Sequence, residues 1–147
     1  MRSKLWCVGI GILALAAVAC SGGSDSGTPV PPIESTGPLI LTQTAKDMAI
    51  TTIKGFPAVL DATVSQDAGD LSLEVVVECG TSETYAKNMG DNFARMIKTF
   101  GPEAAPTDPT GSEIGAGDFN YLVRVFCGTD TDIALGAKDQ NSPNIDW

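Results

Sequence analysis

LSLEVVVEC, at residues 71–79, is the clearest strand signal in the chain. Its apolar residues alternate with Ser72, Glu74 and Glu78, and a period of two is typical of a strand with one buried face. The inward positions are Leu71, Leu73, Val75, Val77 and Cys79. We therefore predict a half-buried strand that ends at Cys79.

The residues before this strand complete a predicted hairpin. AVLDATVSQ at 58–66 is also strand-like, and DAGD at 67–70 supplies the residues of a turn. The expected inner face of this first strand is Leu60, Ala62 and Val64.

The same alternation returns in FNYLVRVFC at 119–127. Its inward set is Phe119, Tyr121, Val123, Val125 and Cys127. A turn at 128–130 leads to a fourth predicted strand over 131–138. The residues expected inward on that strand are Ile133, Leu135 and Ala137.

A first helix is predicted before the hairpin. Thr44 and Asp47 are spaced as in a capping box, and the helix would run to Lys54, because Gly55 and Pro57 stop it. Its expected inward face is Ala45, Met48, Ala49, Thr52 and Ile53.

A second helix is predicted between the two pairs of strands. Ser82 is its expected N-cap, and the helix would end at Phe100. Its apolar stripe is Tyr85, Met89, Phe93, Met96, Ile97 and Phe100, with Lys87, Asp91, Arg95 and Lys98 expected on the opposite side.

These elements predict an α+β fold. We expect a two-layer sandwich, with both helices on one face of a four-stranded, mainly antiparallel sheet. A right-handed crossover through the second helix would make the strands ending at Cys79 and Cys127 parallel neighbours. The pattern around Lys54-Gly55-Phe56-Pro57-Ala58-Val59 is similar to the small cytosolic domains of cation-diffusion transporters. That resemblance implies the fold alone, because this chain has no counterpart to that family's metal-binding histidines.

Composition excludes several functions. The 147 residues carry nine Lys and Arg against 18 Asp and Glu, so we expect one acidic domain and no nucleic-acid partner. The chain has no histidine and no phosphate-binding loop, and we therefore expect no cofactor and no metal. Asp130 and Asp132 either contribute to a calcium site or form a solvated acidic turn.

The N-terminus has the pattern of an export signal. A positively charged start precedes an apolar run from Leu5 to Ala19 that is short for a membrane span. Ala17-Val18-Ala19-Cys20 resembles the lipobox of bacterial lipoprotein precursors. The resemblance implies that residues 1–19 are a removed signal peptide and that Cys20 carries a lipid.

The segment after Cys20 fits this interpretation. Residues 20–38 are rich in Gly, Ser and Pro, as in a tether, and we expect the folded domain over 39–147. The lipid would anchor this domain on the extracytoplasmic side of the cell membrane or the outer membrane. Ordinary secretion after Ala19 and a retained N-terminal helix are the alternatives.

Cys79 and Cys127 occupy like positions, each at a strand end before Gly-Thr. If the strands are parallel neighbours, both thiols lie at one end of the sheet, and an exported setting favours a disulfide. Two buried free thiols, or a redox or metal-binding pair, are the alternatives.

Two regions are candidate surfaces for a partner. The sheet face away from the helices is expected to expose Val76, Leu122 and Phe126, together with Val59, and clustered apolar residues often mark an interface. The irregular segment 103–117 is either a binding loop or a plain surface connection. We therefore expect a non-enzymatic interaction or accessory module that binds an envelope protein or a second copy. A passive structural lipoprotein and an acid-based hydrolase are the alternatives.

Overall fold

A computed structural model describes residues 39–103 and 113–147. The predicted signal peptide, Cys20 and the tether lie outside the described residues, as do positions 104–112 of the irregular segment. Six elements follow one another: α1 (Gln43–Ile53), β1 (Val59–Asp67), β2 (Asp70–Val77), α2 (Glu83–Phe100), β3 (Asn120–Cys127) and β4 (Thr131–Lys138). The predicted order and the α+β class are confirmed.

The sheet has the strand order β1-β2-β3-β4. β1 with β2 and β3 with β4 are antiparallel, whereas β2 and β3 are parallel, with Leu73 opposite Val123. Because α2 connects β2 to β3, the chain returns to the same end of the sheet before β3 begins. This central parallel pair confirms the pairing predicted for the strands that lead to Cys79 and Cys127.

The inner face of the sheet packs against both helices. Residues with no exposed surface include Leu73, Val75, Phe93, Ile97, Val123 and Val125. The apolar stripe predicted for α2 packs against this core. Ser82 is the N-cap of α2, and its hydroxyl accepts a hydrogen bond from the Tyr85 amide at 3.3 Å. Each fully buried side chain of this kind contributes about 1.5–3 kcal/mol, so this face holds the fold together.

α1 begins earlier than the capping-box spacing predicts. Its N-cap is Thr42, not Thr44, and the Thr42 Oγ1 accepts a hydrogen bond from the Ala45 amide at 3.2 Å. The buried residues of the helix are Ala45, Ala49 and Ile53, one turn apart. Met48 and Thr52 lie on the exposed side of that line, so their predicted inward position is wrong.

A bulge changes the phase of β1. The register with β2 shifts between Val59 and Asp61, so Leu60 is 58% exposed instead of facing inward as predicted. Val59 packs against the core and not on the outer face where we expected it. Beyond the bulge the predicted phase is recovered, with Ala62 buried and Val64 half-buried.

A second bulge changes the phase of β4. Val125 pairs with Ala134 but Phe126 pairs with Asp132, which leaves Ile133 as the extra residue. The inward residues of β4 are therefore Ala134, Gly136 and Lys138. The prediction that Leu135 and Ala137 face inward is wrong, because an extra residue in a strand inverts its alternation.

The C-terminal residues pack back onto the domain. Ala137 and Asp146 form an antiparallel bridge at the edge of β4, and the Trp147 Nε1 donates to Asp91 at 3.1 Å. The indole lies against Gly90 and Gly136, where a Cβ would collide with its ring. Close approach of the indole therefore explains glycine at both positions.

Candidate functional site

The second face of the sheet is the candidate site, and we call it the open face. The register places on it Thr63, Ser65, Ser72, Glu74, Val76, Leu122, Arg124, Phe126, Leu135 and Ala137. In the part of the chain that the structure describes, both helices pack on the inner face, and none covers this one.

Apolar side chains form two groups on the open face. Leu122 is 50% exposed and Leu135 is 55% exposed. Val76 lies directly opposite Phe126 across the parallel pair, and both are half-buried. The three residues predicted for this face therefore lie on it together, and Leu135 joins them because the bulge in β4 turns it outward.

Arg124 links the apolar groups to the acidic residues. Its guanidinium binds the carboxylates of Asp130 and Asp132, and it lies 4.5 Å from the centre of the Phe126 ring. Glu74 is a third carboxylate, 4.0 Å away. Hydrogen bonds to Asp130 and then Asp132 raise the pKa of Arg124. The two aspartates considered as calcium ligands, Asp130 and Asp132, are therefore both paired with Arg124.

A pocket of about 460 Å³ opens on the face near the β1–β2 turn. Its lining consists of Ser65, Gln66, Asp67, Asp70, Leu71, Ser72, Asn120, Tyr121 and Leu122. Ser65 and Ser72 lie opposite each other, and Ser72 lies opposite Leu122, so two small side chains leave a hollow beside a large one.

A buried polar cluster lies on the other side of the sheet, and sequence reasoning missed it. Lys98 was expected on the solvent side of α2 but is 2% exposed. Its Nζ donates to the carbonyls of Ile114, Gly115 and Ala116 at 3.2, 3.1 and 2.6 Å. Three carbonyl oxygens satisfy the three N–H groups of an ammonium, which makes this burial tolerable.

Glu103 is the anionic member of this cluster. Its carboxylate accepts hydrogen bonds from the amides of Asp118 and Phe119 and from the Tyr121 hydroxyl. Burial, followed by the hydrogen bond to Glu103, raises the pKa of Tyr121. Lys138 completes the cluster above the Tyr121 ring, and burial lowers the pKa of its ammonium group.

The partners of this cluster indicate a structural role. Lys98 and Glu103 bind the backbone of residues 114–119 from the end of α2, and Gly117 leaves room for the Glu103 carboxylate. The described part of the predicted loop, 113–117, is therefore fixed to the domain. The sequence carried no signal for this, since a lysine at the edge of an apolar stripe is more often solvated.

Cys79 and Cys127 lie at disulfide distance. Their Cα atoms are 4.9 Å apart across 48 residues of chain, within the range that a disulfide requires. Cys127 is buried as predicted. The predicted inward position of Cys79 at the strand end is wrong, because β2 ends at Val77 and Cys79 is exposed just beyond it. The pairing follows from the parallel neighbours, whose last paired residues are Val77 and Cys127.

Neither helix of the described residues is long and apolar enough to cross a membrane. The same ranges hold no group of three or more Cys, Asp or Glu side chains placed to bind a metal. No protein-family model, curated protein or solved structure matches this chain. Function therefore has to be argued from the site itself.

Proposed function

We propose that this protein is an exported, lipid-anchored and non-enzymatic binding module of the cell envelope. A partner protein docks on the open face, and the domain itself performs no chemistry. The observation that carries the proposal is the pair of half-exposed leucines, Leu122 and Leu135, on a sheet face that the described helices leave uncovered. Exposed apolar residues on neighbouring strands of an otherwise acidic molecule are typical of an interaction surface.

The paired cysteines support export. Disulfides persist in oxidising compartments and are rare in the cytosol, so a pair at bonding distance fits a domain that works outside the cytoplasm. The lipobox-like Ala17-Val18-Ala19-Cys20 supports the anchor. A tethered domain gains from the anchor because attachment raises its effective concentration near envelope partners.

Charge indicates the chemistry of the partner. Arg124 is outnumbered by Asp130, Asp132 and Glu74 around it. Asp61, which lies opposite Val76 on the same face, is already paired with Lys54 at 2.9 Å. A second copy of this chain, with its formal charge of −9, would meet like charge across the face. The complementary surface is apolar at its centre and basic at its rim, which points to a cationic envelope protein.

Site-specific photo-cross-linking in the exporting bacterium tests the docking surface. A benzophenone side chain at position 122 or 135 should yield an adduct of discrete mass, because the partner covers these positions. Leu122→Asp should lower the adduct from position 135 about tenfold, since it replaces the apolar contact with the centre of the partner surface by a carboxylate that must lose its hydration.

Position 48 is the matched control. Met48 is 46% exposed and belongs to α1, on the other side of the domain. A benzophenone there should give no such adduct, and Met48→Asp should leave the adduct from position 135 unchanged. Equal adducts from 48 and 135, or an adduct insensitive to Leu122→Asp, would remove the basis of the proposal.

Metabolic labelling tests the anchor independently. Cells fed an alkyne fatty acid should label the wild-type protein and the Cys7→Ser variant but not Cys20→Ser. A Cys20→Ser protein that is still labelled, or a wild-type protein released to the medium without label, contradicts lipidation.

A further inference from the structure

The pocket beside Leu122 carries unbalanced negative charge. Asp67 and Asp70 lie directly opposite each other where β1 and β2 meet, and both line the pocket. Like charges in directly opposed positions of a sheet repel each other. Neither carboxylate forms an ion pair with any lysine or arginine of the described residues, although Asp70 accepts a hydrogen bond from Asn120 Nδ2 at 2.7 Å.

The remaining walls provide both hydroxyl and apolar surface. Ser65 and Ser72 form the shallow centre, and Leu122 forms the side toward the middle of the open face. A volume of about 460 Å³ lies in the range of pockets that hold small organic groups. A ligand that fits has an alkyl stem for Leu122 and a cationic, hydrogen-bonding head for the carboxylates.

We propose that this pocket binds the side chain of a lysine or arginine from the partner protein. The alkyl stem packs on Leu122, and the ammonium or guanidinium group lies between Asp67 and Asp70 with the serine hydroxyls in reach. Lysine and arginine side chains have both an apolar stem and a cationic head. Their hydrogen bonds to carboxylates are the stronger, charge-assisted kind. This inference rests on the proposed docking function and names the anchor that gives it specificity.

Binding of short peptides to the purified domain tests the pocket directly. The probes are acetyl-Gly-Leu-Lys-Leu-Gly-amide, the same peptide with arginine, and the same peptide with norleucine, which keeps the stem but lacks the charge. In amide NMR spectra, the two basic peptides should change the chemical shifts of the backbone amides of Ser65, Ser72 and Leu122. Norleucine should raise Kd about tenfold, as expected for a lost charge-assisted hydrogen bond.

Two double variants distinguish the effect of the pocket carboxylates from the effect of the net charge of the domain. Asp67→Asn with Asp70→Asn keeps the shape, and should raise Kd for the basic peptides about tenfold. Asp47→Asn with Glu83→Gln removes the same charge from the helices, and should change Kd less than about twofold because the removed charges are distant and screened. Equal effects of the two pairs, or equal binding of the lysine and norleucine peptides, would overturn the inference.

A small free amine is the alternative ligand, because it carries the same ammonium group as a lysine side chain. Butylammonium should bind much more weakly than the lysine peptide, because it lacks the flanking leucines that reach the rest of the open face. If it binds as tightly, the ligand is a small amine and the anchor assignment is wrong.

Cross-linking distinguishes failure of this inference from failure of the docking proposal. With benzophenone at position 135, the pocket variant Asp67→Asn with Asp70→Asn should lower adduct yield several-fold. If Leu122→Asp abolishes the adduct while the pocket variant leaves the yield unchanged, docking stands and the basic anchor does not. If neither changes it, both are wrong.

Discussion

Both faces of the sheet carry apolar residues, but they differ in what covers those residues. On the inner face, Val123 and Val125 have no exposed surface, whereas Leu122, one residue away on the open face, is 50% exposed. Both helices of the described chain pack against the former. Apolar residues on the inner face therefore stabilise the fold, and those on the open face remain available for a partner.

The largest effect expected from this comparison is on the core. Phe93→Ala should lower the free energy of unfolding by about 3–5 kcal/mol, because Phe93 is fully buried between α2 and the sheet. Leu122→Ala, on the open face, should change it by no more than about 0.5 kcal/mol. Urea denaturation of both variants measures the two values, and similar losses would mean that the faces are not distinct in role.

The cysteine pair should be almost as important. Replacing Cys79 and Cys127 by serine should cost about 4 kcal/mol, the loop-entropy estimate for a bond that closes a separation of 48 residues. Reduction of the wild-type protein should give a similar loss of stability. A wild-type protein whose denaturation midpoint does not respond to reductant has no such bond.

The buried cluster gives a smaller, local effect. Gly117→Ala places a Cβ against the Glu103 carboxylate, which is held by two amides and the Tyr121 hydroxyl, so we expect a loss of about 1–3 kcal/mol. Gly80→Ala is the control, since a Cβ there meets nothing within 4 Å. Equal stability of the two variants would show that Glu103 moves freely.

The sequence predicted the element order because each element has a local repeat. The parallel central pair and the cysteine pairing followed from the crossover through the second helix. The strand at 71–77 and the stripe of α2 are both strongly periodic, and periodicity determines which face is buried. Val76, Leu122 and Phe126 were placed correctly on the open face for the same reason, since β2 and β3 contain no bulge in their mutual register.

The errors come from interactions that a local pattern does not encode. One extra residue in β1 and one in β4 turned Leu60 and Leu135 outward, against the predicted phase. Lys98 was misassigned because its partners, the carbonyls of 114–116, lie across a long connection. The pocket depends on residues from three strands, so only the assembled sheet shows it.

The most direct test combines stability and docking in one protein. The variant carrying Leu122→Asp and Leu135→Asp should have a free energy of unfolding in urea within about 1 kcal/mol of wild type, because both side chains are already half-exposed and each surface substitution contributes about 0.5 kcal/mol at most. The same variant, with benzophenone at position 76, should lose the partner adduct, whereas Met48→Asp should keep it. A large loss of stability would show that the open face belongs to the core, and a retained adduct would show that it is not the docking surface.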